Sequence, residues 1–281
     1  MCPKSASGQD VHQAAIARIA YIFDCFAAVY VSFSGGKDST VMLHLVMAEA
    51  ARRQRKVGVL FIDLEAQYKL TIEHVQACYE LYSDLIEPYW IALPLHLQWD
   101  LPALAHWVCW EPGREDDWVR QPPAMAITDT GYFPWFRPGM EFEEFVEDFG
   151  GWYSQGGKRS TACLVGIRAG ELLNRYRTLV ADKTRFNGLG WTTWKGGSVF
   201  NAYPLYDWRT EDIWAYHGKF GKPYNRLYDR IVQELIRRNW TDQRIAKELG
   251  MDSDEVLRLK QITGLAELFA DRDFSAAWEA D

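Results

Sequence analysis

The hexapeptide Ser34-Gly-Gly-Lys-Asp-Ser39 constrains the fold of this chain more than any other feature. It lies between a predicted buried strand, Val29–Phe33, and a predicted helix, Ser39–Arg53. Glycines allow a sharp turn that points backbone N–H groups inward, and the start of a helix adds positive charge. Because Lys37 adds a cation, the segment is predicted to bind phosphate, although its spacing is not that of the G-x-x-x-x-G-K-[ST] loop. A plain strand-to-helix turn is the alternative interpretation.

Apolar strands alternate with amphipathic helices around this loop. The further predicted elements are a helix over 10–27, a strand over Val57–Asp63, a helix over Tyr68–Asp84, strands over Tyr89–Leu93, Ala162–Ile167 and Val199–Tyr203, a helix over Ala169–Tyr176, and a helix that begins at Thr210 as its N-cap. The near-continuous apolar character of the strands predicts an α/β fold with a parallel sheet covered on both faces.

Residues 99–155 interrupt this alternation with a Trp-rich insertion. They carry six of the 13 tryptophans and a net charge of −8, and their one good helix candidate is Glu141–Phe149. Stacking of nucleic-acid bases on tryptophan normally accompanies positive charge. The composition therefore favours a small aromatic core, a lid or a protein interface over base stacking.

Basic residues are concentrated in a different segment. The whole chain has a net charge of −7, which argues against nucleic-acid binding over its whole surface. Residues 156–186, in contrast, have a net charge of +5. Arg168 follows a predicted strand at the end of the sheet that carries the predicted phosphate loop. An arginine can donate two parallel hydrogen bonds to one phosphate. Lys158 and Arg159 are the next candidates, whereas Arg175, Arg177 and Arg185 fit a solvated basic face.

Several sequence blocks resemble a known superfamily. The hexapeptide is similar to the PP-loop signature of the adenine nucleotide α-hydrolase-like superfamily. Three more blocks resemble its phosphoadenosine phosphosulfate (PAPS) reductase-like branch, and one resembles the prophage subgroup named for the immunoglobulin-binding regulator IbrA. These blocks are Phe61–Glu65, Cys163–Glu171 and Pro204–Trp214 for the branch, and Trp107–Trp152 for the subgroup. The resemblance covers roughly residues 15–230.

The resemblance implies a Rossmann-like (HUP) parallel sheet that binds ATP or PAPS, with Mg²⁺, across the carboxyl ends of its strands. Lys37, Asp38 and Arg168 are implied to be catalytic, and Asp38 and Asp63 to face the metal. For Asp63 a helix N-cap or turn role is an equal alternative. The residues predicted to bind the nucleotide are Ser34, Gly35, Gly36, Lys37, Asp38, Ser39, Asp63, Lys158, Arg159 and Arg168.

The cysteines limit the chemistry. A PAPS reductase of the resembled branch uses a cysteine near its C-terminus in a Glu-Cys-Gly-Leu-His-like motif, and this chain has no cysteine after Cys163. Cleavage of ATP between the α and β phosphates, with adenylation of an acceptor, is therefore favoured over thiol-based reduction. Five cysteines without a C-x-x-C pair predict reduced thiols and a cytoplasmic location. The apolar stretch Ile19–Val31 is too short to span a bilayer, so no membrane association is expected.

The tail from Ile231 onward is predicted to form short helices. Its segment Asn239–Lys260 resembles the helix-turn-helix of ParB-like proteins, and the continuation resembles the IbrB partner of the same prophage system. This divides the chain into a nucleotide-binding domain, 1–230, and a small all-α tail, 231–281. Because the tail has a net charge of −4, docking to a ParB-like partner or homo-oligomerisation is favoured slightly over binding of DNA or RNA.

The leading prediction is an ATP pyrophosphatase or adenylyl-transfer enzyme of a phage or prophage pathway that modifies or regulates nucleic acid. Two alternatives remain open. One is a PAPS reductase-type oxidoreductase that takes its thiol from elsewhere. The other is a nucleotide-binding transcriptional co-regulator that acts through its tail.

Overall fold

The computed structural model describes residues 10–96, 108–169 and 184–237, and the single positions 241 and 244. Within these ranges the helices are α1 (Val11–Cys25), α2 (Lys37–Arg53), α3 (Lys69–Leu81), α4 (Phe142–Tyr153), α5 (Thr210–Phe220) and α6 (Leu227–Arg237). The strands are β1 (Ala28–Ser32), β2 (Val57–Ile62), β3 (Ile86–Ile91), β4 (Thr161–Val165), β5 (Thr192–Gly196) and β6 (Val199–Ala202).

The strands form one six-stranded sheet in the order β3-β2-β1-β4-β6-β5. The five strands that the sequence predicts pair in parallel, which confirms the Rossmann-like α/β fold. The prediction misses β5, which pairs antiparallel with β6 at the sheet edge. The glycine pair Gly196-Gly197 lies at the turn between these two strands, and both residues have positive φ. A glycine pair between two strands is a hairpin signal that can be read from the sequence.

The two faces of the sheet are covered by different material. Alternate residues of β1 point to opposite faces: Val29 and Val31 contact the core under α1, α2, α3 and α5, whereas Ala28 and Tyr30 contact the aromatic insertion and α4. Phe133 and Phe149 are fully buried in this second core. The described part of the insertion, from residue 108 onward, thus packs on the sheet as a small aromatic core, one of the alternatives predicted for the insertion.

Several predicted boundaries shift. Helix α2 begins at Lys37 rather than Ser39, so its first turn includes the polar end of the hexapeptide. The N-cap of α5 is Arg209 rather than Thr210, because the Asp212 carboxylate accepts the Arg209 backbone N–H at 2.8 Å. The predicted helix Ala169–Tyr176, apart from Ala169 itself, and most of the predicted tail lie outside the described residues. No described helix combines the length and apolar character that crossing a bilayer requires.

Candidate phosphate-binding site

The loop that follows β1 lies where the sheet changes direction. The strands after β1 add on one side as β2 and β3, and the chain then continues on the other side with β4. Open α/β sheets bind ligands at such a switch point, beyond the carboxyl ends of the strands. Gly35 makes the turn possible, because its φ is +73° and a Cβ there would lie 2.9 Å from Val75 Cγ2 of α3.

The serine and threonine hydroxyls of the loop bond within the loop. Ser39 Oγ lies 3.0 Å from Ser34 Oγ and donates to the Gly36 carbonyl at 3.1 Å. The Thr40 hydroxyl donates to the same carbonyl at 2.8 Å. These bonds hold the predicted phosphate ligands Ser34, Gly36 and Ser39 in one compact turn at the start of α2.

Two cations meet on one carboxylate at this turn. Lys37 Nζ lies 3.0 Å from Asp38 Oδ2, and Arg168 Nε donates to Asp38 Oδ1. Arg168 is only 3% exposed, and its Nη1 donates to the Thr210 hydroxyl at 2.9 Å. The structure therefore brings together the three residues that the sequence predicts to be catalytic.

Arg168 lies close to the loop because the backbone just after β4 approaches the backbone of α2 closely. A Cβ at Gly166 would lie 2.9 Å from both Cα and N of Ser39. Real Cβ contacts are not this short, so a side chain at this position would push α2 away from β4. A glycine two residues before the arginine is thus a condition for the site.

Residues from the far end of the chain also contact the loop, and sequence reasoning missed them. Asn225 Nδ2 donates to the Gly35 carbonyl at 3.0 Å and to Thr71 Oγ1 at 2.9 Å. The Tyr228 hydroxyl accepts the Lys37 backbone N–H at 3.3 Å. Lys37 Nζ also lies 5.6 Å from the centre of the Tyr228 ring. No motif of this sequence signals these contacts, which join residues about 190 positions apart.

Three buried histidines lie in or around α2, and two of them contact its first turn. His217 Nε2 lies 3.4 Å from the Lys37 carbonyl, and His74 Nε2 lies 2.9 Å from Thr40 Oγ1. His44 Nε2 lies 2.8 Å from a carbonyl, that of Pro223. Burial lowers the pKa of all three histidines to about 4, so they are neutral at pH 7.

Asp63, at the end of β2, is enclosed by protein. Its side chain is completely buried and accepts the Glu65 backbone N–H at 3.0 Å and the Trp90 indole N–H at 2.8 Å. Arg120 of the insertion donates to the same carboxylate. Burial raises the pKa of Asp63, and the bonds from Trp90 and Arg120 partly oppose this. The bond to Glu65 shows the turn role; a role toward nucleotide or metal stays a prediction.

The insertion is fastened to this end of β2 by further bonds. The Glu65 carboxylate accepts the backbone N–H groups of Trp110 at 2.7 Å and Val119 at 3.0 Å. The Trp110 indole donates to the Asp63 carbonyl at 2.6 Å. Asp63 and Glu65 therefore attach the aromatic insertion to the carboxyl edge of the sheet.

Lys158 and Arg159 lie at the amino ends of the strands, whereas the loop lies at the carboxyl ends. They precede β4, whose first residue Thr161 pairs with Ala28, the first residue of β1. Lys158 is exposed, and the Arg159 guanidinium lies 5.9 Å from the centre of the Tyr153 ring. The predicted grouping of these two cations with Arg168 is therefore corrected: parallel strands separate residues at their two ends.

Other basic residues have different places. Arg185 donates to the carbonyls of Gly190 and Thr192, at 2.9 and 2.8 Å, and so supports the chain before β5. Arg175 and Arg177 lie outside the described residues. Among the described residues, no group of three or more His, Cys, Asp and Glu side chains is arranged to hold a metal ion.

Comparison with protein families gives two matches. The phosphoadenosine phosphosulfate reductase domain matches residues 28–89 and 155–235, just over half of the chain. The IbrB-like C-terminal HTH domain matches residues 226–271. The first match leaves out most of the aromatic insertion, whereas it includes the loop, Arg168 and Tyr228.

Two proteins of Escherichia coli have sequences similar to this chain. The uncharacterized protein YbdN of Escherichia coli is 45% identical over 229 residues, which are 80% of this chain and 55% of YbdN. The uncharacterized protein YbdM of the same bacterium is 71% identical over 48 residues, which are 17% of this chain and 23% of YbdM. This chain thus spans about half the length of YbdN and a quarter of that of YbdM.

Solved structures share low identity with this chain. A PAPS reductase from Candida auris, in a phosphate complex, is 14% identical with a TM-score of 0.39, and the match covers 80% of this chain and 93% of that one. Yeast FAD synthetase in complex with FAD is 15% identical with a TM-score of 0.46, with coverage of 83% and 67%. From the family match that includes the loop and the strands around it, we conclude that the chain belongs to the phosphoadenosine phosphosulfate reductase domain family.

Proposed function

We propose that this chain binds ATP at the loop after β1 and cleaves it between the α and β phosphates. An oxygen of the acceptor attacks the α phosphorus, the bond to the bridging oxygen breaks, and pyrophosphate leaves. The acceptor gains the adenylyl group and its proton passes to solvent; with water as the acceptor the products are AMP and pyrophosphate.

The observation that carries the proposal is the pairing of Lys37 and Arg168 on Asp38 at the start of α2. The transition state of this transfer places negative charge on the phosphate oxygens and on the leaving pyrophosphate. Cations and N–H groups fixed in advance stabilise such charge without reorganisation. Lys37 and Arg168 are the two cations, and the start of α2 supplies backbone N–H donors.

Asp38 is the carboxylate that fits a magnesium ion here. Mg²⁺ is commonly held by one or two carboxylates together with substrate phosphates, so a complete protein cage is not needed. Asp38 lies at the loop and accepts two side-chain donors, whereas the oxygens of Asp63, away from the loop, accept three protein donors. When bound, the ion would neutralise charge on the phosphates. Asp63 remains a candidate for this role on sequence grounds only.

Three of the four described cysteines are buried, which supports transfer rather than reduction. Burial raises the pKa of Cys78, Cys109 and Cys163 to about 12, so these thiols stay protonated at neutral pH. The thiolate is the nucleophilic form of cysteine, and buried cysteines in apolar surroundings are inert. Cys163 lies in β4 within the core, away from solvent.

The test is pyrophosphate release from ATP by the purified full chain. We expect release that depends on Mg²⁺ and that falls by at least about 100-fold in Lys37→Ala. Lys56→Ala is the matched control, because Lys56 is exposed and precedes β2 at the opposite edge of the sheet. Sulfite release from PAPS with an added thiol, without pyrophosphate release from ATP, would contradict the proposal and support a reductase.

A second candidate function follows from the match of residues 226–271 to an HTH domain. In this alternative the chain is a nucleotide-binding co-regulator of transcription that acts through its tail. It predicts that ATP binds tightly without turnover, and that the full chain retards duplex DNA in a gel only when ATP is present. Turnover in the absence of DNA favours the enzyme.

A further inference from the structure

The Tyr228 hydroxyl occupies a position that a phosphate oxygen would take. It accepts the backbone N–H of Lys37 at 3.3 Å, at the first residue of α2. The first N–H groups of a helix have no partner within the helix, and they are the donors that bind anions at helix starts. A phenol oxygen of this chain thus accepts one of the N–H groups of the predicted phosphate site.

Two more contacts place the ring directly over the loop. Its hydroxyl oxygen lies 3.6 Å from where a Cβ of Gly36 would stand, and Lys37 Nζ lies 5.6 Å from the ring centre. A phosphate that accepts the Lys37 N–H and pairs with Lys37 Nζ needs the same space. A charged phosphate oxygen forms the stronger hydrogen bond, so it would displace the phenol.

We propose that Tyr228 is a positioning residue that competes with nucleotide phosphate for the Lys37 N–H and leaves it when the nucleotide binds. The inference rests on the proposed function, because it requires phosphate at this loop. Its consequence concerns α6: Tyr228 is the second residue of that helix, and its ring packs 5.5 Å from the centre of the Trp214 ring. Departure of the hydroxyl therefore shifts the start of α6.

The start of α6 is also the start of the segment that matches the HTH domain. That match begins at residue 226, and the reductase-domain match extends to residue 235, so the two overlap on this helix. Asn225, immediately before, holds the Gly35 carbonyl. Nucleotide occupancy and the position of α6 are thereby linked, and linkage is reciprocal: a ligand that fixes α6 changes nucleotide affinity by the same factor.

The direction in which one substitution changes the affinity for phosphate ligands tests the competition. Tyr228→Phe keeps the ring over Lys37 and removes only the hydroxyl. We expect it to bind ATP and inorganic pyrophosphate about three to ten times more tightly than the natural chain, the value of one ordinary hydrogen bond. A tyrosine that donates to phosphate would give weaker binding, and a purely structural tyrosine would give unchanged or weaker binding; either result overturns the inference.

Tyr224→Phe is the matched control. Its hydroxyl donates to Asp229 Oδ1 at 2.9 Å, and the substitution removes the same group without touching the loop. We expect the affinity for ATP to stay within about twofold, since the phosphate donors are unchanged. An equal gain of affinity in both variants would overturn the inference, because it would show a general loosening of the segment.

Hydrogen exchange in the natural chain gives an independent readout. We expect saturating ATP to change the protection of amides in 227–231 at the start of α6. No change there, with ATP bound, overturns the linkage to α6. A natural chain that binds neither ATP nor pyrophosphate overturns the proposed function along with the inference. A chain that binds both ligands, with no gain of affinity in Tyr228→Phe, overturns the inference alone.

Discussion

Asp38 and Asp63 are two buried carboxylates at the same edge of the sheet, each paired with an arginine. Asp38 lies between Lys37 and Arg168 beside the phosphate loop. Asp63 receives Arg120, an indole N–H and a backbone N–H. The sequence predicts the same metal-facing role for both, but their surroundings differ.

The difference lies in what holds each carboxylate. The partners of Asp38 are two cationic side chains of the candidate site, Lys37 and Arg168. The Asp63 carboxylate accepts donors from β3, from its own turn and from the insertion, and it has no exposed surface. The two aspartates lie at the same end of the sheet, but their ion pairs differ. The pair of Asp38 with Arg168 lies at the candidate site, whereas the pair of Asp63 with Arg120 attaches the insertion.

The largest expected effect is on stability, from Asp63→Asn. The amide places a donor against Arg120 and leaves that cation without its counterion. We expect a loss of about 3 kcal/mol in the free energy of unfolding, at the low end for a buried pair because a fifth of Arg120 is exposed. Urea denaturation followed by tryptophan fluorescence measures it.

The comparison requires that Asp38→Asn behave differently. Pyrophosphate release from MgATP should fall by about 100-fold in this variant, and by less than about threefold in folded Asp63→Asn. Equal losses of turnover in both variants would show that the two carboxylates serve the site together, as the sequence suggests.

Gly166→Ala tests the close approach that brings Arg168 to the loop. The added methyl would press on the Ser39 backbone, so we expect the free energy of unfolding to fall by about 2 kcal/mol and ATP to bind about tenfold more weakly. Gly151→Ala in α4 is the control, since a Cβ there meets nothing within 4 Å. If Gly166→Ala matched this control, the backbone contact would not matter.

Acid should destabilise the loop side of the molecule. His44, His74 and His217 have a pKa near 4 when folded and an ordinary value of 6.5 when unfolded. Below pH 6.5 the unfolded chain binds protons that the folded chain does not, so stability falls as the pH falls toward 4. The slope is at most about 1.4 kcal/mol per pH unit for each histidine.

Urea denaturation at several values between pH 7 and 5.5 measures this slope. In His74→Gln, the change of unfolding free energy per pH unit should be smaller by the contribution of one histidine. This holds whatever the effect of the substitution on stability at pH 7. A free energy of unfolding that stays constant over this interval would contradict the neutral, buried state of the three side chains.

The smallest expected effect is that of Thr210→Val, which removes the hydroxyl that accepts from Arg168 and keeps the shape of the side chain. We expect a loss of about 1 kcal/mol in the stabilisation of the transition state, which is about fivefold in pyrophosphate release. Steady-state kinetics measures it, and a loss as large as that of Lys37→Ala would mean that Thr210 itself contacts the nucleotide.

Local signals in the sequence were enough for much of the fold. The strands β1 and β2 and the helix between them follow from apolar runs and from the glycines of the loop. The position of Arg168 follows as well. The carboxyl ends of parallel strands lie at the same end of the sheet, so a residue just after β4 lies near the loop that follows β1. Hydrophobic periodicity is a weaker signal at β5, which ends in glycine and pairs antiparallel as the last strand of the sheet.

The amino-acid sequence by itself determined the parallel sheet, the glycine loop at its switch point and the approach of Arg168 to that loop. These features depend on short-range patterns and on the direction of strands. Only the tertiary structure decided that Asp63 anchors the insertion and that Tyr228 covers Lys37. Each of these depends on contacts between residues distant in the chain, which no local pattern encodes.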